Sequence, residues 1–236
     1  MITNKKTFAL GLFLMLSFIA IFAVMMSPIY GNGRNGLEFA DDMFNSLSKG
    51  SANFMQSEQQ KADKLTGTAI EVNLAASDGV EAEKWNNLYT AAGATVNVSG
   101  TDVNIKGDMG QIFTAILADC KAMYDNNGDV LSGKYGMEGR EATYAWYTSL
   151  KGMDKAFEKQ KLFKEQSAVQ SLVKKAVEPA YNYYGIEAKQ VADNKVMLFL
   201  LMSFYLVYTL WYGFAFYFMF DGLGIATTKA AKKAEA

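Results

Sequence analysis

The sequence predicts an α+β extracytoplasmic domain, a β-α-β-β-α unit plus a helical segment, held between two transmembrane helices and mainly α overall. Three observations carry this reading. Long uncharged stretches stand at 8–28 and 196–220, near the two ends of the chain. The residues between them, 31–195, are polar and of mixed charge. Within that middle, alternating and helical hydrophobic spacings interchange over 69–124, and helical spacing alone follows over 137–194.

The first stretch, FALGLFLMLSFIAIFAVMMS, carries no charge. A helix of that length rises about 30 Å, the thickness of a bilayer's hydrocarbon core. Lys5 and Lys6 precede it, as in a secretory signal peptide. The apolar run is nevertheless longer than a signal peptide's core of about 7–15 residues, and MMSPIYGNG offers no small-x-small cleavage site. It reads as an uncleaved signal anchor. The second stretch, VMLFLLMSFYLVYTLWYGFAFYFMF, lies between Lys195 and Asp221 and has no polar face. The alternative of a buried core helix would require a small domain to cover it on every side.

The flanking charges set an orientation. The tail 1–7 holds Lys5 and Lys6, and the tail 221–236 holds Lys229, Lys232 and Lys233. Short positively charged tails stay cytoplasmic, so both are expected there and 31–195 outside, in the periplasm of a diderm bacterium. The expected location is the bacterial inner or plasma membrane.

Between the spans, GNGRNG after Pro28 reads as a turn, and Leu37, Ala40, Phe44 and Leu47 give a helix ended by Lys49, Gly50 and Ser51. Ile70, Val72 and Leu74 alternate with Glu71 and Asn73, which predicts a strand over 69–74. Ser77 and Asp78 cap a helix over 80–92 with Trp85, Leu88 and Tyr89 on one face. Val96 and Val98, a turn at 99–102, then Val103 and Ile105 spell a hairpin. Asp108 caps a further helix to about Tyr124, with Ile112, Phe113, Ile116, Leu117 and Cys120 inward. DNNGDVLSGKYG reads as a loop, and the helical run after it is expected to break or kink at Pro179. No solenoid-period repeat and no low-complexity tract is present.

The chemistry is marked by what is missing. The chain has no histidine and one cysteine, Cys120. That excludes Ser-His and Cys-His pairs, imidazole metal sites, zinc ribbons, iron–sulfur ligation within the chain and an internal disulfide. No glycine-rich nucleotide loop and no haem attachment motif occurs. A net charge of -1 gives no reason to expect a nucleic-acid partner. No catalytic residue, cofactor or metal site is therefore expected, and the chain reads as a non-enzyme. Asp125, Asn127 and Asp129 space oxygens as a calcium loop does, but Val130 and Gly136 stand where an EF-hand needs glycine and glutamate, so a solvated turn is expected. Glu138, Glu141, Asp154 and Glu158, spread among Lys151, Lys155 and Lys159, read as an exposed helix face, not a paired-carboxylate site.

Two groups remain as contact candidates. Tyr205, Tyr208 and Tyr212 lie along one side of the second span, and hydroxyls in hydrocarbon need partners, which points to helix–helix contact. Tyr181, Asn182, Tyr183 and Tyr184 precede that span, where they suit a membrane surface or a partner. The expected partners are the bilayer and other membrane subunits or a second copy of the chain. The function that follows is a two-span accessory or structural protein whose outer domain binds a partner. The alternative is a receptor-type sensor whose outer domain binds a ligand; with only a short tail after Phe220, it would signal through a partner's helices.

Overall fold

The computed structural model describes residues 2–225, so Lys229, Lys232 and Lys233 lie outside the described residues. The chain is mostly helical with one small antiparallel sheet. It divides into two units: residues 1–44 with 190–236, and residues 45–189.

The first unit is built on two helices long and apolar enough to cross a membrane, α1 (Lys5–Met25) and α10 (Val191–Gly222). Their most apolar windows have mean hydropathies of 2.6 and 1.7, yet only 6% and none of those windows is buried. Neither is the core helix of a soluble fold: Phe13, Leu16, Ile19, Phe199, Leu206 and Leu210 are all exposed. Apolar surface on this scale marks contact with a membrane or with other protein. The two helices pack antiparallel through small residues. A Cβ on Gly11 would come within 2.5 Å of Met219 N, and one on Gly222 within 2.6 Å of Phe8. Glycine there lets the backbones approach, as small residues do between membrane helices. The N–H groups of Thr3 and Asn4 both donate to Gly222 O at 2.9 Å.

The turn after α1 uses Gly31, Asn32 and Gly33 at positive φ. Helix α2 (Gly36–Ser51) opens on a reciprocal cap: Asn35 Oδ1 accepts from Glu38 N, and Glu38 Oε2 accepts from Asn35 N.

In the second unit, α3 (Met55–Lys64) precedes β1 (Ala69–Ala75), α4 (Gly79–Ala91), β2 (Thr95–Ser99), β3 (Asp102–Asp108) and α5 (Met109–Tyr124). The sheet order is β1-β3-β2, with β3 antiparallel to both neighbours. β1 and β2 therefore run the same way with β3 inserted between them, and both are edges. Asp78 Oδ1 accepts from Glu81 N at 2.8 Å to start α4, and Asp108 Oδ1 accepts from Gln111 N at 2.9 Å to start α5. Then come α6 (Asp129–Tyr135), α7 (Gly139–Gln160), α8 (Phe163–Leu172), a π-helical turn (Val173–Val177) and α9 (Glu178–Asn182).

The sheet's inner face, Ile70, Val72, Leu74, Val103 and Ile105, is buried under α4, α5 and α7. Trp146 and Tyr89 meet edge to face at the centre, 5.0 Å apart, and the Tyr89 hydroxyl bonds Ser149 Oγ at 3.1 Å. Cys120 is buried in the same core, and burial pushes its thiol well up, so it is no candidate for a disulfide between copies.

The stretch before β1, unassigned from sequence, is the helix α3. Two local expectations change. The turn-rich DNNGDVLSGKYG contains α6, which buries Leu131 and Tyr135. The helical run is divided at Lys161, a left-handed C-cap at φ 60, and again over 183–190. Pro179 does not divide it: the π turn widens the preceding coil, and the chain stays helical through the proline.

Candidate functional site: a groove between an edge strand and a lysine-bearing helix

A concavity of about 790 Å³ in the second unit runs between β1 and α7. Two contacts fix how they lie. Gln160 Nε2 donates to Glu71 O at 3.2 Å, and a Cβ on Gly152 would sit 3.5 Å from Leu74. From Glu71 to Leu74 a strand advances about 10 Å, and from Gln160 back to Gly152 a helix advances about 12 Å. Strand and helix therefore run antiparallel and nearly in step along the groove. Leu74, Ala76, Trp85, Gly152 and Ala156 make its apolar floor.

One wall is the outer edge of β1. Ala76 N–H donates to Thr101 O, and Thr68 O accepts from Met109 N–H, both at 2.9 Å. The even-numbered residues thus aim their backbone groups at β3, and by the alternation of an antiparallel ladder the odd-numbered ones aim away. Glu71 O is taken by Gln160. Among the described residues, the outward N–H and C=O of Asn73 and Ala75 meet no hydrogen-bonding partner. The edge is available over those two residues.

The other wall is α7, from which Lys151, Lys155 and Lys159 line the groove at successive turns. All three are exposed, and none forms an ion pair among the described residues. Lys151 Nζ lies 5.8 Å from the centroid of the Tyr147 ring. The carboxylates near them in sequence are engaged elsewhere or stand free of them: Asp154 accepts from Gln170 and Glu141 pairs with Lys84. One acid, Glu81, lines the end near Ser77. Burial acts to raise its carboxyl, but hydrogen bonds from Ser77 and Thr148 outweigh that and hold it below the usual range. Ser77 N–H donates to its Oε2 at 2.8 Å. Trp85 Nε1 donates to Thr148 Oγ1 at 3.2 Å, tying floor to wall.

None of the contact candidates Tyr205, Tyr208, Tyr212, Tyr181, Asn182, Tyr183 and Tyr184 lines this groove. Tyr208 stacks on Phe18 of α1 with centroids 4.4 Å apart, and Tyr212 meets the same ring at 5.7 Å. Tyr205 faces outward, 72% exposed. Trp211 Nε1, on the same helix, is buried without a hydrogen-bond partner among the described residues.

The second group sits beside a clamp that sequence reading missed. Lys49 is buried, and its Nζ donates to Asn126 Oδ1 (2.9 Å), Tyr183 O (3.1 Å) and Ile186 O (2.6 Å). Asn126, at φ 61, also accepts from Gly185 N and donates to Ile186 O. Burial draws the Lys49 ammonium below its usual value, with Asp125 acting the other way. The loop read as a poor calcium loop thus holds the 183–186 turn in place. Asp125 pairs with Lys121, and among the described residues no group of three or more His, Cys, Asp or Glu gathers. Arg140 covers the rings of Tyr181 and Tyr184, and Tyr144, Tyr147, Tyr181 and Asn182 border a smaller cavity of about 240 Å³. Asp119, also missed, is a buried carboxylate receiving Tyr135 Oη (2.5 Å), Trp146 Nε1 (2.9 Å) and Lys134 Nζ (2.9 Å).

No family model, curated protein or solved structure matches the chain.

Proposed function

We propose that the chain is a membrane-anchored accessory subunit whose domain at 45–189 lies outside the cytoplasm and binds a protein partner, as part of a membrane complex. The observation that carries this reading is the groove between β1 and α7. It joins an apolar floor, unpaired strand-edge groups and uncompensated positive charge, the features of a surface left for another molecule. The orientation rests on Lys5, Lys6 and the lysines of the 221–236 tail, by the positive-inside rule. The absence of histidine and of nucleotide loops in the sequence supports binding over catalysis. An accessory role also suits the α1–α10 hairpin, whose exposed apolar flank leaves room for lipid and for neighbouring spans.

The test is purification of the tagged full chain from its native membrane in mild detergent, with quantitative mass spectrometry of what accompanies it. A stoichiometric set of companions is expected, reduced at least fivefold when Lys151, Lys155 and Lys159 are all replaced by Glu. Emergence of the chain alone, as monomer or dimer, overturns the reading.

A further inference from the structure

Resting on that reading, we infer that the groove takes an extended acidic segment of the partner polypeptide, added as a fourth strand on the free edge of β1. The geometry argues for a strand before any other occupant. Asn73 and Ala75 present two outward N–H and two outward C=O groups in a line, the pattern an added strand satisfies. The groove is bounded on the far side by α7, at a distance that leaves about 790 Å³ over an apolar floor. An added strand has alternate side chains facing opposite ways, so one set can lie toward Leu74, Trp85 and Ala156 or toward the lysines.

The spacing of the charges fits the same occupant. Lys151, Lys155 and Lys159 recur every four residues, and each step along the helix is about 6 Å. Alternate residues of an extended chain recur every 6.6–6.8 Å or so. Because β1 and α7 run antiparallel and in step, carboxylates at alternate positions of the added strand meet successive lysines. Glu81 lines the groove at its Ser77 end, and α7 runs from Gly152 beside Leu74 to Gln160 beside Glu71, so the acidic requirement is strongest toward Lys155 and Lys159. A disordered polyanion or an anionic lipid surface would use the lysines but would have no use for the Asn73 and Ala75 edge.

The edge shows how the site is kept specific. A long bare edge would pair with any strand. Here Gln160 closes it at Glu71, and the strand ends at Ala75, so the open length is two residues. Backbone pairing over so short a length is weak, and the lysine row then selects which segments bind.

The experiment uses the full chain in detergent micelles and a fluorescently labelled peptide of about eight residues, with Glu at alternate positions and Val or Thr between. A second peptide has the same sequence with backbone N-methyl groups on the side that faces β1, which keeps its charge and removes its strand hydrogen bonds. Anisotropy titrations are expected to give saturable binding, weakened at least tenfold by N-methylation and at least tenfold by Lys155→Glu with Lys159→Glu. Hydrogen exchange at the Asn73 and Ala75 amides is expected to slow on binding. Ala75→Pro should also block binding while leaving the fold, since that N–H is outside the ladder and proline is tolerated on an edge. Should Ala75→Pro fail to fold, the N-methylated peptide carries the same test. Equal binding of both peptides, without amide protection, would show a purely electrostatic site and overturn strand addition. No saturable binding of either overturns the assignment of an acidic strand. If companions still co-purify with the lysine variants, partner binding stands and only the groove is lost as its site.

Discussion

Asp119 is the residue on which the second unit's polar interior depends most. Its carboxylate is 4% exposed and receives a hydroxyl, an indole and an ammonium from Tyr135, Trp146 and Lys134. An amide in its place keeps one acceptor oxygen and turns an NH₂ toward donors. Asp119→Asn is therefore expected to lower stability by about 3 kcal/mol, the scale for breaking a buried charged network by one partner. Lys134→Met should cost only about 0–1 kcal/mol, because the lysine end of the pair is a third exposed. Urea unfolding of the full chain in micelles, followed through tryptophan emission, reads both. A loss under about 0.5 kcal/mol for Asp119→Asn would show the network to be dispensable. None of this was visible in the sequence, where Asp119 stands in an apolar helix as the polar exception in ILADC. Buried charges such as Lys49 and Glu58 were hidden for the same reason. Apart from Lys61, which pairs with Glu58 one turn on, their partners lie far off in the chain, as Ser171 does for Glu58 and Tyr183 for Lys49, and no local pattern reports them.

Local patterning was legible wherever it was apolar and periodic. The alternation at Ile70, Val72 and Leu74, the hairpin at Gly100 and Thr101, and the caps Asp78 and Asp108 all appear as read. Helix α3 was not legible because one position of its buried stripe, Met55, Glu58 and Ala62, is a carboxylate, which masks the period. Strand order was illegible too, and with it the free edge of β1 and the groove. Lys151, Lys155 and Lys159 consequently read as part of a solvated, mixed-charge face. Glycines separate packing from propensity on these elements. In α5 a Cβ on Gly110 would run into Thr66 N and lie 2.6 Å from Ala62 O, both backbone atoms that cannot yield. In α7 a Cβ on Gly152 would make ordinary contact with Leu74. Alanine favours a helix over glycine by about 1 kcal/mol, so Gly152→Ala should stabilise by about 0.5–1 kcal/mol. Gly110→Ala should instead destabilise by about 1–3 kcal/mol as α3 is forced from α5. Thermal unfolding of the two variants in the same detergent gives shifts of opposite sign if this packing is right. Two stabilising shifts would mean that α3 does not lie so close.

At the level of the whole chain, the decisive question is which side of the membrane carries residues 45–189. Helices α1 and α10 form an antiparallel pair, with Gly11 against Ala215 and Met219, and Thr3 and Asn4 against Gly222. A pair so joined brings the residues just before α1 and just after α10 to one end. If that pair crosses a bilayer, Ile2 and Ile225 share a side and Thr101, in the β2–β3 turn, lies on the other. In the orientation proposed above, from the positive-inside rule and the lysines at 5 and 6, the first side is the cytoplasm. Cys120 makes the question simple to ask, because a buried thiol with its ionisation suppressed is a poor target for maleimides. Single-cysteine reporters can therefore be placed against a silent background as Ile2→Cys, Thr101→Cys and Ile225→Cys, each at an exposed position. In intact cells a membrane-impermeant maleimide is expected to label Thr101→Cys alone, and all three after permeabilisation. The reverse pattern would put the groove in the cytoplasm and redirect the search for its partner there. Labelling that differs between Ile2→Cys and Ile225→Cys would mean that α1 and α10 do not cross as a pair, and the two-span reading would fall with the hairpin.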